Sequence, residues 1–214
     1  MRSRTGRSGD AVPYWAEARG ALCRADPILG TLILAAGGSV LRPRNDPFFS
    51  LSRSIVAQQI SVHAAEAVWQ KLIAHVGNMT PVAMASQTED GLRSCGLSRQ
   101  KARYLLSLAE HFTEGGLDRA PWRRMEDEAV IERLVEVKGI GRWTAEMFLI
   151  FYLLRPDVLP VADVGIQKAI ATHFNAGVRP GPDEMFAIAE PWRPWRSVAS
   201  WYLWRSLDAV PVEY

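Results

Sequence analysis

Cysteine is nearly absent from this chain of 214 residues, with Cys23 and Cys95 the only two. That excludes a disulfide scaffold, a four-cysteine zinc site and an iron–sulfur cluster held by four thiolates, and it points to a reducing compartment, cytoplasmic (nucleoid-associated in a bacterium) or nuclear in a eukaryote. Long apolar runs are missing as well. The longest, Ile28 to Ala36 and Met147 to Leu154, fall far short of the roughly 20 residues a membrane span requires, so no membrane partner is expected. Nor is one sign of charge in excess: 25 Lys and Arg stand against 23 Asp and Glu, a net +2. Such a chain has no global field to draw in a polyanion, and any nucleic-acid contact must come from local geometry. His63, His75, His111 and His173 never pair at ligand spacing, which leaves no zinc site and places them at the surface or boundary. No glycine loop has the form of a nucleotide cradle, because Gly139-Ile140-Gly141 runs straight into Arg142-Trp143-Thr144.

What is present is helical periodicity. Ala65, Val68, Trp69, Leu72 and Val76 fall on one helical face, as do Leu105, Leu108, Ala109 and Phe112, while no run alternates with period two. Asp26-Pro27, Asp46-Pro47, Thr80-Pro81 and Gly181-Pro182-Asp183 punctuate the pattern where proline suits a first helical turn. Helices are predicted over 13–24, 27–36, 47–58, 61–76, 81–86, 88–94, 99–113, 126–136, 142–154, 164–174, 183–189 and 195–207, an all-α fold of about a dozen short helices. Residues 1–9, with Arg2, Arg4 and Arg7 but no apolar signal-peptide core after them, read as a short disordered basic arm. Residues 10–214 read as one helical unit of two lobes: a central lobe of about 47–160, and a second of about 10–46 plus 161–214, with the first helices packing beside the last. Weak divisions fall at Gly115 to Asp118 and at Asn175 to Pro182.

Two segments are candidates for chemistry. In Val135-Glu136-Val137-Lys138-Gly139-Ile140-Gly141-Arg142-Trp143 an amphipathic helix runs into a Gly-x-Gly turn, and an apolar helix leaves at once. Gly139 can take positive φ, and Gly141 removes a side chain where the backbone must approach something closely. The N–H groups that open the second helix suit an anion such as a phosphate. On this turn alone, a glycine-capped αα-hairpin is the simpler explanation of the pattern. The second segment is Pro160-Val161-Ala162-Asp163-Val164-Gly165-Ile166. Asp163 ends an extended stretch and begins a helix, so it is an N-cap whose carboxylate accepts from Gly165 or Ile166, held in one rotamer and available for chemistry.

The order and spacing of these motifs resemble the helix–hairpin–helix DNA glycosylase superfamily, and within it the DNA-3-methyladenine glycosylase II group. The resemblance runs from Val12 to Leu207 through Asp46 to Leu51, Gln58-Gln59-Ile60-Ser61, Gly96-Leu97-Ser98 with Lys101-Ala102, the hairpin, Asp163, and Pro194-Trp195-Arg196-Ser197. It implies a central hairpin, a cleft between lobes, and a flipped nucleotide entering that cleft. It also implies a hairpin of Lys138, Gly139, Ile140, Gly141 and Arg142 gripping the DNA backbone, with a Na⁺ or K⁺ ion at carbonyls near Val135, Val137 and Ile140. Gln59 and Ile60 lie where the family inserts a wedge, although an isoleucine there reads equally as core. Trp143, Met147 and Trp204 match the base pocket, where indole faces would attract a cationic alkylated purine. Met147 stands where the family's bacterial prototype has a tyrosine, and Trp192 and Trp195 read as core.

Position 143 bears on reaction type. Bifunctional members carry a Schiff-base lysine there, whereas this chain has Trp143. The resemblance therefore implies a monomeric, cofactor-free, monofunctional enzyme acting on double-stranded DNA that contains alkylated bases, with Asp163 catalytic. A non-catalytic hairpin module that binds damaged DNA is the competing class, and a bifunctional glycosylase/lyase the third.

Overall fold

Most of the helices begin on a side chain that replaces a missing backbone partner. Asp26, Asp46, Ser61, Thr80, Thr88, Ser98 and Asp163 each accept from an N–H of the turn they open, a contribution of about 1 kcal/mol apiece. The computed structural model describes residues 12–44, 46–117 and 120–207. The expected basic arm at 1–9, Asp118 of the first expected division and the end of the second expected lobe from 208 lie outside them. Among the described residues there are twelve α-helices and no strand. They are α1 (Trp15–Ala25), α2 (Pro27–Ala35), α3 (Pro47–Ala57), α4 (Val62–Val76), α5 (Pro81–Ala85), α6 (Glu89–Ser94), α7 (Arg99–Thr113), α8 (Asp127–Val135), α9 (Arg142–Phe148), α10 (Val164–Phe174), α11 (Pro182–Ala189) and α12 (Arg196–Leu207). The all-α expectation is met, and no described helix is long and apolar enough to cross a membrane.

One element differs from expectation. The stretch read as a single helix over 142–154 is α-helical only to Phe148, and Leu149–Leu153 winds as a π-helix. The Phe151 carbonyl accepts from Arg44 N at 2.9 Å, and the Arg44 guanidinium lies 4.9 Å from the Phe151 ring centroid. Wider winding leaves carbonyls to be satisfied from outside the helix, and Arg44 supplies one donor.

The chain forms two compact units, one joining the segment that ends at Pro43 with the segment that starts at Leu154, the other spanning Arg44–Leu153. In the first unit α12 packs on α2, α10 and α1. Every residue from Arg196 to Trp204 is buried, and Trp15 meets Trp201 edge-on at 5.1 Å. The α1–α2 crossing is close because Gly30 carries no Cβ, which would stand 3.3 Å from the Cys23 carbonyl oxygen. Asp26 serves two elements at once. Its Oδ1 caps α2 through Ile28 and Leu29, and its Oδ2 accepts from Nε1 of the fully buried Trp192 at 2.8 Å.

In the second unit α3 is central, packed on α4, α7 and α9. Phe48 meets Phe112 of α7 at 5.4 Å, and Phe49 meets Trp69 of α4 at 5.0 Å, both edge-on. α7 turns Ala102, Leu105, Leu108, Ala109 and Phe112 inward, so the periodic face read there is a core face, whereas on α4 only Trp69 and Leu72 are buried and Ala65, Val68 and Val76 are half-buried.

Candidate active site

In the first unit the path to Asp163 is fixed by residues that begin α12. The Arg196 guanidinium, 7% exposed, donates to Asp157 through Nε–Oδ1 at 2.6 Å and Nη2–Oδ2 at 3.1 Å, and a further Nη2 contact reaches the Asp157 carbonyl. Ser197 donates from Oγ to the Arg155 carbonyl at 2.6 Å and from its backbone N–H to the Pro156 carbonyl at 3.0 Å, and its Oγ accepts from Val158 N at 2.9 Å. These contacts staple segment 155–158 to α12. Trp195 beside them is half-buried and stacks on Tyr14 at 5.5 Å, while burial pushes the Tyr14 hydroxyl up to about 12.

Asp163 then caps α10 and is 8% exposed. Its Oδ1 accepts from Ile166 N at 2.8 Å and from Trp204 Nε1 at 2.8 Å. Trp204 is 4% exposed. Its indole edge is therefore a donor to the carboxylate, a role the pocket reading did not foresee. Gly165 makes that approach possible: a Cβ there would stand 3.0 Å from Asp163 Oδ1 and 3.0 Å from Trp204 Cδ1. A glycine in the first turn of a helix costs about 1 kcal/mol relative to alanine, and that anomaly, two residues after Asp163, is the signal by which sequence alone could have found it.

In the second unit α8 and α9 flank the turn that contains Gly139, which has φ of +94°. The Tyr104 ring of α7 lies against it so closely that a Cβ would fall 2.1 Å from Tyr104 Cγ. Glycine is required there twice over, by backbone conformation and by contact. Gly141 differs, since no atom lies within 4 Å of where its Cβ would stand; nothing within the protein demands glycine, and the position is open. Lys138, Gly141 and Arg142 are exposed, and Ile140 is buried. The Arg142 guanidinium is committed to carboxylates: Nη1 and Nη2 donate to Glu128 at 2.9 and 2.5 Å, and Nε to Glu146 at 3.2 Å. Hydrogen bonding from Arg142 holds the Glu128 carboxyl below its usual range. Trp143 is half-buried, and Met147 is 1% exposed.

The wedge candidates lie at the end of α3. Gln59 adopts φ of +57°, and Ile60 is 41% exposed, which removes the core reading of that isoleucine. Gln58 Nε2 donates to the Gly139 carbonyl at 2.9 Å and to Thr144 Oγ1 at 3.0 Å, joining this turn to the hairpin. Gln58 and Lys101 entered the sequence reading only as letters of a motif, and Tyr104 did not enter it; a half-buried side chain that serves backbone carbonyls leaves no periodic trace. His63 and His75 are exposed, and His111 and His173 half-buried, as expected. Among the described residues no group of three or more His, Cys, Asp or Glu is placed to hold a metal ion.

Residues 52–194 match the HhH-GPD superfamily base excision DNA repair protein family. DNA-3-methyladenine glycosylase 1 of Schizosaccharomyces pombe is 34% identical over 169 residues, 76% of this chain and 73% of that one. A solved structure of Schizosaccharomyces pombe 3-methyladenine DNA glycosylase in complex with abasic-DNA superimposes with a TM-score of 0.79 at 31% identity, covering 90% of this chain and 98% of the other. A DNA-3-methyladenine glycosidase structure from Bacillus halodurans gives 0.73 at 35% identity, covering 90% and 89%. The chain spans 58% of the length of a Bacillus subtilis relative to which it is 32% identical over 166 residues, 74% of this chain. By the extent of the family match, and with its hairpin and capping aspartate at the expected positions, the chain belongs to the HhH-GPD superfamily of base excision DNA repair proteins.

Proposed function

We propose that this protein is a monofunctional DNA glycosylase that extrudes alkylated purines of the 3-methyladenine and 7-methylguanine class from double-stranded DNA and hydrolyses their N-glycosylic bond. The observation that carries the reading is Asp163, a buried carboxylate with one oxygen fixed by two N–H donors, in a chain whose relatives bear glycosylase names and include one solved with abasic-DNA. A module that only held phosphate would need no such group.

The chemistry follows from the leaving group. A purine alkylated at N3 or N7 is cationic, and departure neutralises it, so no second acid is needed. Positive charge develops on the sugar instead, and a fixed carboxylate favours that state over the neutral ground state. Asp163 also orients or deprotonates the attacking water. Lys138, Gly139, Ile140, Gly141 and Arg142 form the backbone-binding hairpin, with Arg142 contributing its main chain because its guanidinium is held by Glu128 and Glu146. Trp143, Met147 and Trp204 belong to the base-recognition side of the reading, Trp204 by holding Asp163. The turn carbonyls near Val135, Val137 and Ile140 are hard, neutral oxygen donors of the kind a Na⁺ or K⁺ ion takes. The Val137 carbonyl accepts a 3.0 Å bond from Ile140 N in closing the turn, and a carbonyl oxygen has a second lone pair with which to meet such an ion; bound there, it would add positive charge beside the phosphate. The protein acts as a monomer.

The test is release of free base from alkylated duplex DNA, identified by chromatography, with wild type compared to Asp163→Asn. Asparagine retains an Oδ1 that accepts from Ile166 and Trp204, so the fold and DNA binding should persist. Base release should fall at least about 100-fold, equivalent to roughly 2.7 kcal/mol of barrier. A folded Asp163→Asn protein excising 3-methyladenine at the wild-type single-turnover rate would leave the residue a helix cap and nothing more.

A further inference from the structure

The end of α3 is held in an unusual way. Lys101 of α7 sends its ammonium onto the last carbonyls of that helix, donating to Val56 O at 2.8 Å and Gln58 O at 2.5 Å. Burial pushes the Lys101 ammonium's pKa down, so this position carries a desolvation cost that a surface lysine escapes. The next residue, Gln59, takes φ of +57°, a left-handed conformation that a non-glycine residue holds at a cost and keeps only when its surroundings over-determine it. Its neighbour Ile60 is a large apolar side chain left 41% exposed. The turn closes at Ser61, whose Oγ caps α4 through Ala64 N at 3.3 Å. On the other side, the Gln58 carboxamide reaches the Gly139 carbonyl and Thr144 Oγ1. A half-buried cation, a left-handed residue and an exposed isoleucine thus meet at one turn, with one hydrogen-bonded chain running Lys101–Gln58–Gly139.

We infer that Lys101 is a positioning residue for base extrusion: it clamps the carbonyls that close α3, fixes the left-handed turn at Gln59, and so presents Ile60 as a preset wedge in register with the hairpin. The inference rests on the proposed glycosylase reading for the identity of the ligand, duplex DNA with a base to be unstacked. Its physical content is pre-organisation. A wedge whose backbone is already fixed loses less conformational entropy on entering the stack than a slack one, which must be ordered at the same moment that a base is being unstacked. A purely structural lysine would lower stability and affect all substrates alike. A wedge-positioning lysine matters only where a stacked, paired base has to be displaced.

The experiment compares single-turnover excision of the same alkylated base from a matched duplex and from an unpaired bubble, for wild type, Lys101→Met, Ile60→Ala and the double variant, each checked for folding by thermal melting. Lys101→Met should lose about tenfold or more on the matched duplex and less than about threefold in the bubble, with no further loss in the Ile60→Ala background. In parallel, 2-aminopurine placed beside an abasic-site analogue should brighten on binding wild type and much less on binding Lys101→Met. Equal losses on both substrates, losses that add to those of Ile60→Ala, or wild-type rates on both would overturn the inference. If Lys101→Met does not fold, Lys101→Gln, which keeps a donor, takes its place with the same expected selectivity. Should wild type release no base from either substrate, the glycosylase reading falls, and the 2-aminopurine signal still decides the role of Lys101.

Discussion

At the residue scale the carboxylate of Asp163 is defined by what holds it. Two donors converge on Oδ1 at 2.8 Å each, which fixes the rotamer and with it the direction of the other oxygen. Gly165 is the silent member of this group, because a Cβ there would stand only 3.0 Å from Trp204 Cδ1 and from Asp163 Oδ1. Gly165→Ala should therefore push the indole aside by a few tenths of an ångström and slow base release by up to about tenfold, less than the roughly 100-fold that about 1 Å of misplacement costs, while abasic-DNA affinity stays near wild type. In a Trp204→Phe background the alanine should cost little more, since the hydrogen bond it disturbs is already gone; independent, additive losses would show that Gly165 does not act through Trp204. Trp143 sets a second residue-scale expectation. An indole cannot form a Schiff base, so borohydride should trap no covalent enzyme–DNA adduct, and product strands should break only after alkali or heat. Efficient trapping abolished in one lysine variant would overturn the monofunctional assignment.

At the element scale the hairpin is clamped from outside its turn. Arg142 at the start of α9 grips Glu128 on α8 through both terminal nitrogens, and this hydrogen bonding lowers the Glu128 pKa below its ordinary value of 4.5. The sign follows directly: a carboxyl with a depressed folded-state value contributes stability that is complete above pH 4.5 and is lost as pH falls through the lowered value. Because both partners are more than half exposed, the contribution is small and screened by salt. Carboxyl NMR should find Glu128 titrating below the usual range in wild type and returning toward it in Arg142→Gln; identical titration in the two proteins would remove the clamp. The helix starts behind these elements were legible because a cap is a local rule: Asp26, Asp46 and Asp163 announce themselves beside proline or an extended stretch. The π-helix was not, since Thr144 to Phe151 are buried without interruption and hydrophobicity has no phase there to reveal the winding. Trp204 was legible as a pocket candidate, but its N–H bond to Asp163 was not, because that bond depends on a partner 41 residues away.

At the scale of the whole molecule, charge sets how the proposed DNA binding should behave. A net charge of +2 supplies no long-range field, and Arg142, the cation that follows the hairpin turn in sequence, is neutralised by Glu128 and Glu146. In the proposed reading, what the hairpin would offer a phosphate is chiefly backbone N–H dipole, which orients the strand without replacing a condensed counterion. Affinity should accordingly depend on salt less steeply than the number of phosphate contacts suggests, and should vary little among undamaged sequences because N–H groups at a helix start see phosphate and not base edges. Fluorescence anisotropy on abasic-site duplexes between 50 and 200 mM salt should give a log–log slope of about −2 to −4, the signature of roughly two to four cationic contacts at about 0.9 per phosphate. Arg142→Gln should leave that slope unchanged, since its charge is already spent on carboxylates, whereas Lys138→Gln should make it shallower by about one. A slope steeper than about −6, or one flattened by Arg142→Gln, would mean that guanidinium charge is released to DNA on binding and that the Glu128 clamp opens in the complex.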